Sequence, residues 1–215
     1  MKKYLSSLLK ICMAILSLTG CGKPSLTPEE SVMALYDLYI LENSEGVLSL
    51  GMTKEDVTNV LNSYNQALTD SLTANITSAG LTMDDATIAE IVSARKTALK
   101  NMTATCELVS SDEESAVVLL KTTYFNEKKL DKKAANNALD ASQEADSTDE
   151  AELLAIATNA YAKNLIDGYL SVTPSSDYKE IIVNCTFKDN VWLPDDMSAF
   201  GKDLGIAISG QKKSK

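Results

Sequence analysis

Residues 103–125 read Thr-Ala-Thr-Cys-Glu-Leu-Val-Ser-Ser-Asp-Glu-Glu-Ser-Ala-Val-Val-Leu-Leu-Lys-Thr-Thr-Tyr-Phe. Ala104, Cys106 and Leu108 alternate with Thr103, Thr105 and Glu107, which is the two-residue period of a half-buried strand. Ser111 to Glu114 has the composition of a turn, and Ala116 to Phe125 is rich in the Val, Leu, Thr and Tyr that suit a pleated surface. The stretch therefore predicts a β-hairpin. Because everything before it repeats at helical spacing, the chain reads as α+β.

The upstream helices announce their own starts. Thr27-Pro28-Glu29-Glu30 is a capping box with proline at the first helical position, and Val32, Leu35, Tyr36, Tyr39 and Ile40 then share one face. Thr53-Lys54-Glu55-Asp56 opens a second helix, with Met52 and Val57 placed as a hydrophobic staple. Its inward face is Val57, Val60, Leu61, Tyr64, Leu68 and Leu72, and Gly80 is its natural stop. Thr82-Met83-Asp84-Asp85 opens a third, with Ile88, Ile91, Val92 and Leu99 inward. Downstream, large apolar residues thin out over 127–152, and Asp140 to Glu152 carries six acids and no base. A weak helix followed by a solvated acidic loop is expected there. A helix returns from Ser147 or Thr148, with Leu154, Ala157, Tyr161 and Leu165 on one face. Tyr178 to Lys188 is a strand with Ile181, Val183, Cys185 and Phe187 on one side. Lys188-Asp189-Asn190 turns it into Val191-Trp192-Leu193, which Pro194 ends. Met197 to Ile208 forms a last helix. The expected organisation is a single α+β domain over 27–208 with an acidic insertion near 127–150, followed by a basic tail over 209–215.

The 215 residues carry 20 Lys+Arg against 30 Asp+Glu, a formal charge of −10, with 45% hydrophobic residues. These are globular proportions. The acidic balance argues against nucleic acid as a partner. The chain has no histidine, which excludes Ser-His-Asp and Cys-His catalysis and histidine-held metals.

Residues 1–20 follow another logic. Lys2 and Lys3 precede a short apolar stretch from Leu5 to Leu18, and Leu18-Thr19-Gly20-Cys21 follows. This is the pattern of a secretory signal peptide, too short and broken for a span of about 20 residues. Leu-Thr-Gly-Cys resembles the bacterial lipobox. The resemblance implies cleavage before Cys21, a diacylglycerol on its thiol, and residence on the outer side of a bacterial cell membrane. Loss of Lys2, Lys3 and Lys10 with the signal takes the charge from −10 to −13. Residues 21–26 then form a lipidated tether reaching only about 20 Å, at about 3.3–3.6 Å per extended residue. Cys12 also leaves with the signal, so Cys106 and Cys185 remain as an even pair in an exported protein. They are read either as a disulfide, if their strands are neighbours, or as two buried free thiols.

Two further resemblances concern the folded part. Thr27 to Ile40, followed by Leu50-Gly51-Met52-Thr53, resembles Gram-positive lipoproteins grouped only as a domain of unknown function. Phe187 to Trp192 resembles the closing strands of cystatin-like domains of the nuclear-transport-factor-2 kind. The second resemblance implies N-terminal helices packed on a curved antiparallel sheet of three to four strands, with a conical pocket. Neither brings a catalytic residue.

The candidate chemistry is sparse. Asp84-Asp85, Asp112-Glu113-Glu114 and Asp195-Asp196 fall at helix starts and turns, where acids serve as caps. The run from Asp140 to Glu152 lacks the glycine turn and alternation of a calcium loop. Arg95, the only arginine, follows the apolar face of the third helix and either snorkels from the core or grips a ligand carboxylate. Trp192 either fills the core or lines a pocket. The expectation is a lipid-anchored binding or interaction module without catalysis, cofactor or metal. Its partner is an envelope protein or a small apolar ligand seated on the sheet with Arg95 and Trp192 nearby. A structural envelope protein and an enzyme on the same scaffold are the alternatives.

Overall fold

The structure, a computed structural model, describes residues 26–211. The signal, Cys21, the tether up to residue 25 and the end of the basic tail lie outside the described residues. The helices are α1 (Pro28–Tyr36, continued by one π-helical turn over Asp37–Leu41), α2 (Glu45–Ser49), α3 (Lys54–Ser78), α4 (Asp85–Leu99), α5 (Glu127–Gln143), α6 (Glu150–Ser171) and α7 (Met197–Ile208). The strands are β1 (Ala104–Ser111), β2 (Ser115–Thr122), β3 (Lys179–Lys188) and β4 (Val191–Pro194), an antiparallel sheet in the order β1-β2-β3-β4.

Both predicted capping boxes are present. Thr27 Oγ1 accepts from Glu30 N while Glu30 Oε2 accepts from Thr27 N, and Thr53 and Asp56 repeat the exchange at the head of α3. The third helix starts later than its Thr82 signal, because Asp84 supplies the cap by accepting from Thr87 N. The π turn after Tyr36 widens the helix, so that Leu38, Tyr39 and Ile40 are all buried instead of one face alone. It closes on Glu42, a non-glycine residue in the left-handed region at φ 56. α2 lies against α1 at Gly46, where a Cβ would stand 2.6 Å from Ala34 Cβ.

The inner face of the sheet is the core. Ala116, Val118, Leu120 and Thr122 of β2 and Ile181, Val183 and Cys185 of β3 lie under α1 and α7, and Val118 and Leu120 have no exposure at all. Tyr36 OH meets Thr122 Oγ1 at 3.0 Å, a buried hydrogen bond joining α1 to the sheet. The outer face is solvated, as antiparallel sheets allow. Ile182 there is 59% exposed, and Lys121 pairs with Glu107 across it at 3.0 Å. Leu108 pairs with Val118 on the inner face as expected, yet it is 44% exposed: β1 is an edge strand whose second half is open to solvent, and a bulge follows between Leu108 and Ser110.

The helix and the acidic loop expected near 127–150 are both present, with α5 running on to Gln143 and the irregular connection confined to Glu144 to Asp149. Small residues explain this. Ala134 and Ala138 of α5 are buried, as are Thr158 and Ala162 of α6, so two helices poor in large apolar groups can still approach closely. The buried face of α6 is accordingly Thr158, Ala162, Leu165 and Tyr169, and Leu154 points to solvent. Of the two readings left open for the cysteines, the structure has both as free thiols, Cys185 buried and Cys106 half-buried. Cys106 stands opposite Leu120 and Cys185 opposite Ala116, so β2 separates their strands. Strands two apart lie about 10 Å from each other, beyond the 4.4–6.8 Å or so that a disulfide spans between Cα atoms.

Burial pushes both thiols up to about 12 from 9.0. At pH 8 each would be thiolate to only about one part in 10⁴, against about a tenth for an unperturbed thiol. Alkylation of Cys106 and Cys185 in the native protein is therefore expected to be about a thousandfold slower than in urea. Non-reducing peptide mapping should find no Cys106–Cys185 bridge.

Candidate functional site

Two polar features stand out in the helical half of the molecule. The first is closed. Arg95 Nε on α4 donates to Glu127 Oε1 at 2.7 Å, and the two side chains are only 9% and 6% exposed. Glu127 sits at the first position of α5, where Asn126 caps the helix by accepting from Lys129 N. The Arg95 guanidinium lies beside the phenols of Tyr64 on α3 and Tyr169 on α6. Burial raises both phenols, and the neighbouring positive charge partly offsets that rise. Burial is the largest single influence and opposes the Arg95 charge, but the charge and hydrogen bond of Glu127 together with the two phenols overcome it and hold the guanidinium charged. Arg95 Nη1 is buried with no hydrogen-bond partner among the described residues.

The second feature is open. A groove of about 350 Å³ runs between α3 and α4, with Glu42 at one end. Ala89, exposed, and Val92, half-buried, are the apolar part of its lining, while Asn65, Thr69, Ser93 and Thr97 are the polar part. Lys96 and Lys100 stand on the rim, one turn apart on α4 and at its C-cap. The π turn and the left-handed Glu42 deliver a carboxylate to this rim, where Oε1 meets Lys96 Nζ and Oε2 meets Lys100 Nζ at 3.2 Å. Burial disfavours ionisation of Glu42, but hydrogen bonds and charge from the two lysines overcome it and hold the carboxyl below its ordinary range. Lys96 also donates to Asn65 Oδ1 at 3.2 Å, linking α4 to α3. The groove lies on the polar edge of the α3–α4 contact: Asn65, Thr69, Ser93 and Thr97 are short and polar, while the apolar residues of the two helices, Tyr64, Leu68, Ile88 and Ile91 among them, are buried.

The residues singled out from sequence occupy different places. Arg95 faces Glu127 in the helical half and Trp192 packs on Phe187 in the sheet at 5.0 Å between centroids, so they do not converge. Neither lines the groove. The apolar seat expected on the sheet is filled by the protein's own side chains beneath α1 and α7. Cys21 lies outside the described residues. Sequence reading missed Glu42, Asn65, Lys96 and Lys100. The available signal was a pair of polar i, i+4 steps, Asn65/Thr69 and Lys96/Lys100, on faces that periodicity assigns to solvent.

The described residues thus define an α+β protein: a four-stranded antiparallel meander, covered on one face by helices, beside a helical half that carries an open polar groove. The fold is similar to that of YcdA of Bacillus subtilis subsp. subtilis str. 168, a protein provisionally assigned as a lipoprotein, with a TM-score of 0.59 and 18% identity. The similarity covers 84% of this chain and 56% of that one, so the chain spans little more than half the length of that neighbour. At this identity the likeness is one of fold. No protein-family model matches the chain, and no curated protein matches it.

Removing one partner of a buried ion pair strands the other, at a cost of about 3–5 kcal/mol. Glu127→Gln should therefore lower the urea-unfolding free energy by that order. The double variant Arg95→Met with Glu127→Met should recover most of the loss. A single variant within about 1 kcal/mol of the native chain would show that the pair does not hold the helical half together.

Proposed function

We propose that the protein is a lipoprotein anchored through Cys21 to the outer side of a bacterial cell membrane, and that it acts there as a binding module. The anchor rests on the sequence Leu18-Thr19-Gly20-Cys21 behind a short apolar stretch that starts with Lys2 and Lys3. The likeness of fold to a protein assigned as a lipoprotein supports it. Among the described residues no helix is long and apolar enough to cross a membrane, which suits attachment by lipid. Helix α1 lying across an antiparallel meander supports the cystatin-like reading of the fold.

The observation that carries the binding half is the groove between α3 and α4. Its volume lies within the range of about 300–1,000 Å³ typical of small-molecule sites. Its lining is more polar than that of most such sites, with Ala89 and Val92 its only apolar members. Its wall of amide, hydroxyl and ammonium groups moves the ligand from the apolar class to the polar one. Binding is favoured over catalysis because the chain has no histidine and the groove holds a single carboxylate that two lysines keep ionised.

Two lipid chains give stable anchoring, since each buried CH₂ contributes about 0.8 kcal/mol. Metabolic labelling with a clickable fatty acid should mark the native chain in the membrane fraction. Cys21→Ser should be unlabelled and either uncleaved at this site or released, whereas equal labelling would refute the anchor. For the groove, ligand-observed NMR with a fragment set should detect binders to the full chain that are lost in Val92→Lys, where the new side chain fills the groove. Binders indifferent to that variant would place the site elsewhere.

A further inference from the structure

The groove rim departs from the charge of the rest of the chain. The protein carries a formal −10, yet the rim sets two ammonium groups against one carboxylate, and no second acid lines the groove. The two lysines are not equivalent. Lys96 is held by both Glu42 and Asn65. Lys100 meets only one Glu42 oxygen, at 3.2 Å, and its side chain is 54% exposed. An ammonium has three donors, so Lys100 presents uncommitted donors and the net positive charge of the rim.

The walls present hydroxyls in a defined orientation. Thr69 Oγ1 donates to the Asn65 carbonyl at 3.1 Å and Thr97 Oγ1 to the Ser93 carbonyl at 3.0 Å, which leaves their lone pairs as acceptors. The Asn65 side chain accepts from Lys96 through Oδ1, so its amide N–H groups remain as donors. No aromatic residue lines the groove, which removes the usual platform for a planar ring. Ala89 and Val92 instead offer a small aliphatic surface for C–H groups.

We propose that this groove takes a small hydroxylated carboxylate of the sugar-acid class, its carboxylate on Lys100, its hydroxyls on Asn65, Thr69 and Thr97, and its C–H face on Val92. The assignment rests on the groove being the binding site. Affinity should be weak. Water screens a pair of opposite charges near a protein surface, and the C-terminal end of α4 opposes an anion.

Saturation-transfer NMR on the full lipidated chain in detergent, with D-glucuronate, D-glucose and acetate as probes, tests this. Glucuronate should bind in the millimolar range, at least fivefold more tightly than glucose or acetate. Lys100→Met, an exposed substitution, should weaken glucuronate about fivefold while leaving glucose unchanged. Val92→Lys should abolish binding of both sugars. Equal binding of glucose and glucuronate, indifferent to Lys100→Met but lost in Val92→Lys, would overturn the ligand class and leave the groove as the site. Glucuronate binding that survives Val92→Lys, or no binding of any of the three probes, would overturn the proposal. In that case fragments lost in Val92→Lys would still uphold the groove.

Discussion

The fold turns on one buried charge that had to be matched. Arg95 is the only arginine, and it projects from α4 into a space closed by α3, α5 and α6. An unpaired guanidinium there would cost several kcal/mol in lost hydration. Glu127 supplies the match, and its position ties together the ends of several elements. Its N–H donates to Ser209 O just beyond α7, while the neighbouring Phe125 N–H, just after β2, donates to Ile208 O. The same short stretch therefore ends the second strand, starts α5, receives the end of the last helix and holds α4. The sheet half and the helical half are joined at this point.

That junction sorts the rest of the chain by what it can bury. Residues with large apolar side chains, Tyr36, Leu35, Val118 and Leu120 among them, go to the space between α1 and the sheet. Helices α5 and α6 have fewer such groups and pack through Ala134, Ala138, Thr158 and Ala162, with polar ties between Asn137 and Asn164 and between Tyr161 and Asp131. Where α3 meets α4, the apolar side chains are buried and the hydroxyl and amide side chains of Asn65, Thr69, Ser93 and Thr97 are left along the open edge, where they line the groove.

Much of this architecture was readable in advance. The capping boxes at Thr27 and Thr53, the hairpin around Asp112 to Glu114, the inward face of β3 and the limits of α7 all follow from local rules. A cap satisfies backbone N–H groups within three residues, and a strand shows its faces in every pair of residues. The misses share a cause. Thr82 gave way to Asp84 because two cap candidates stood two residues apart. Leu108 keeps its register opposite Val118 but stays 44% exposed, because it lies towards the open end of an edge strand. Residues 127–143 formed a full helix because their alanines could pack against a partner helix that local composition does not reveal.

For the site, the division is sharper. The sequence by itself determined the absence of histidine, a matter of composition, and the α+β class and most helix starts, which depend on residues close together in the chain. Only the tertiary structure decided that Arg95 meets Glu127, that Cys106 and Cys185 are kept apart by β2, and that Glu42, Asn65, Lys96 and Lys100 share one rim. Those outcomes depend on which strand lies beside which and on which side chains two packed helices leave along their open edge. Such questions are settled by packing across the whole domain, where partners distant in sequence compete for the same buried space.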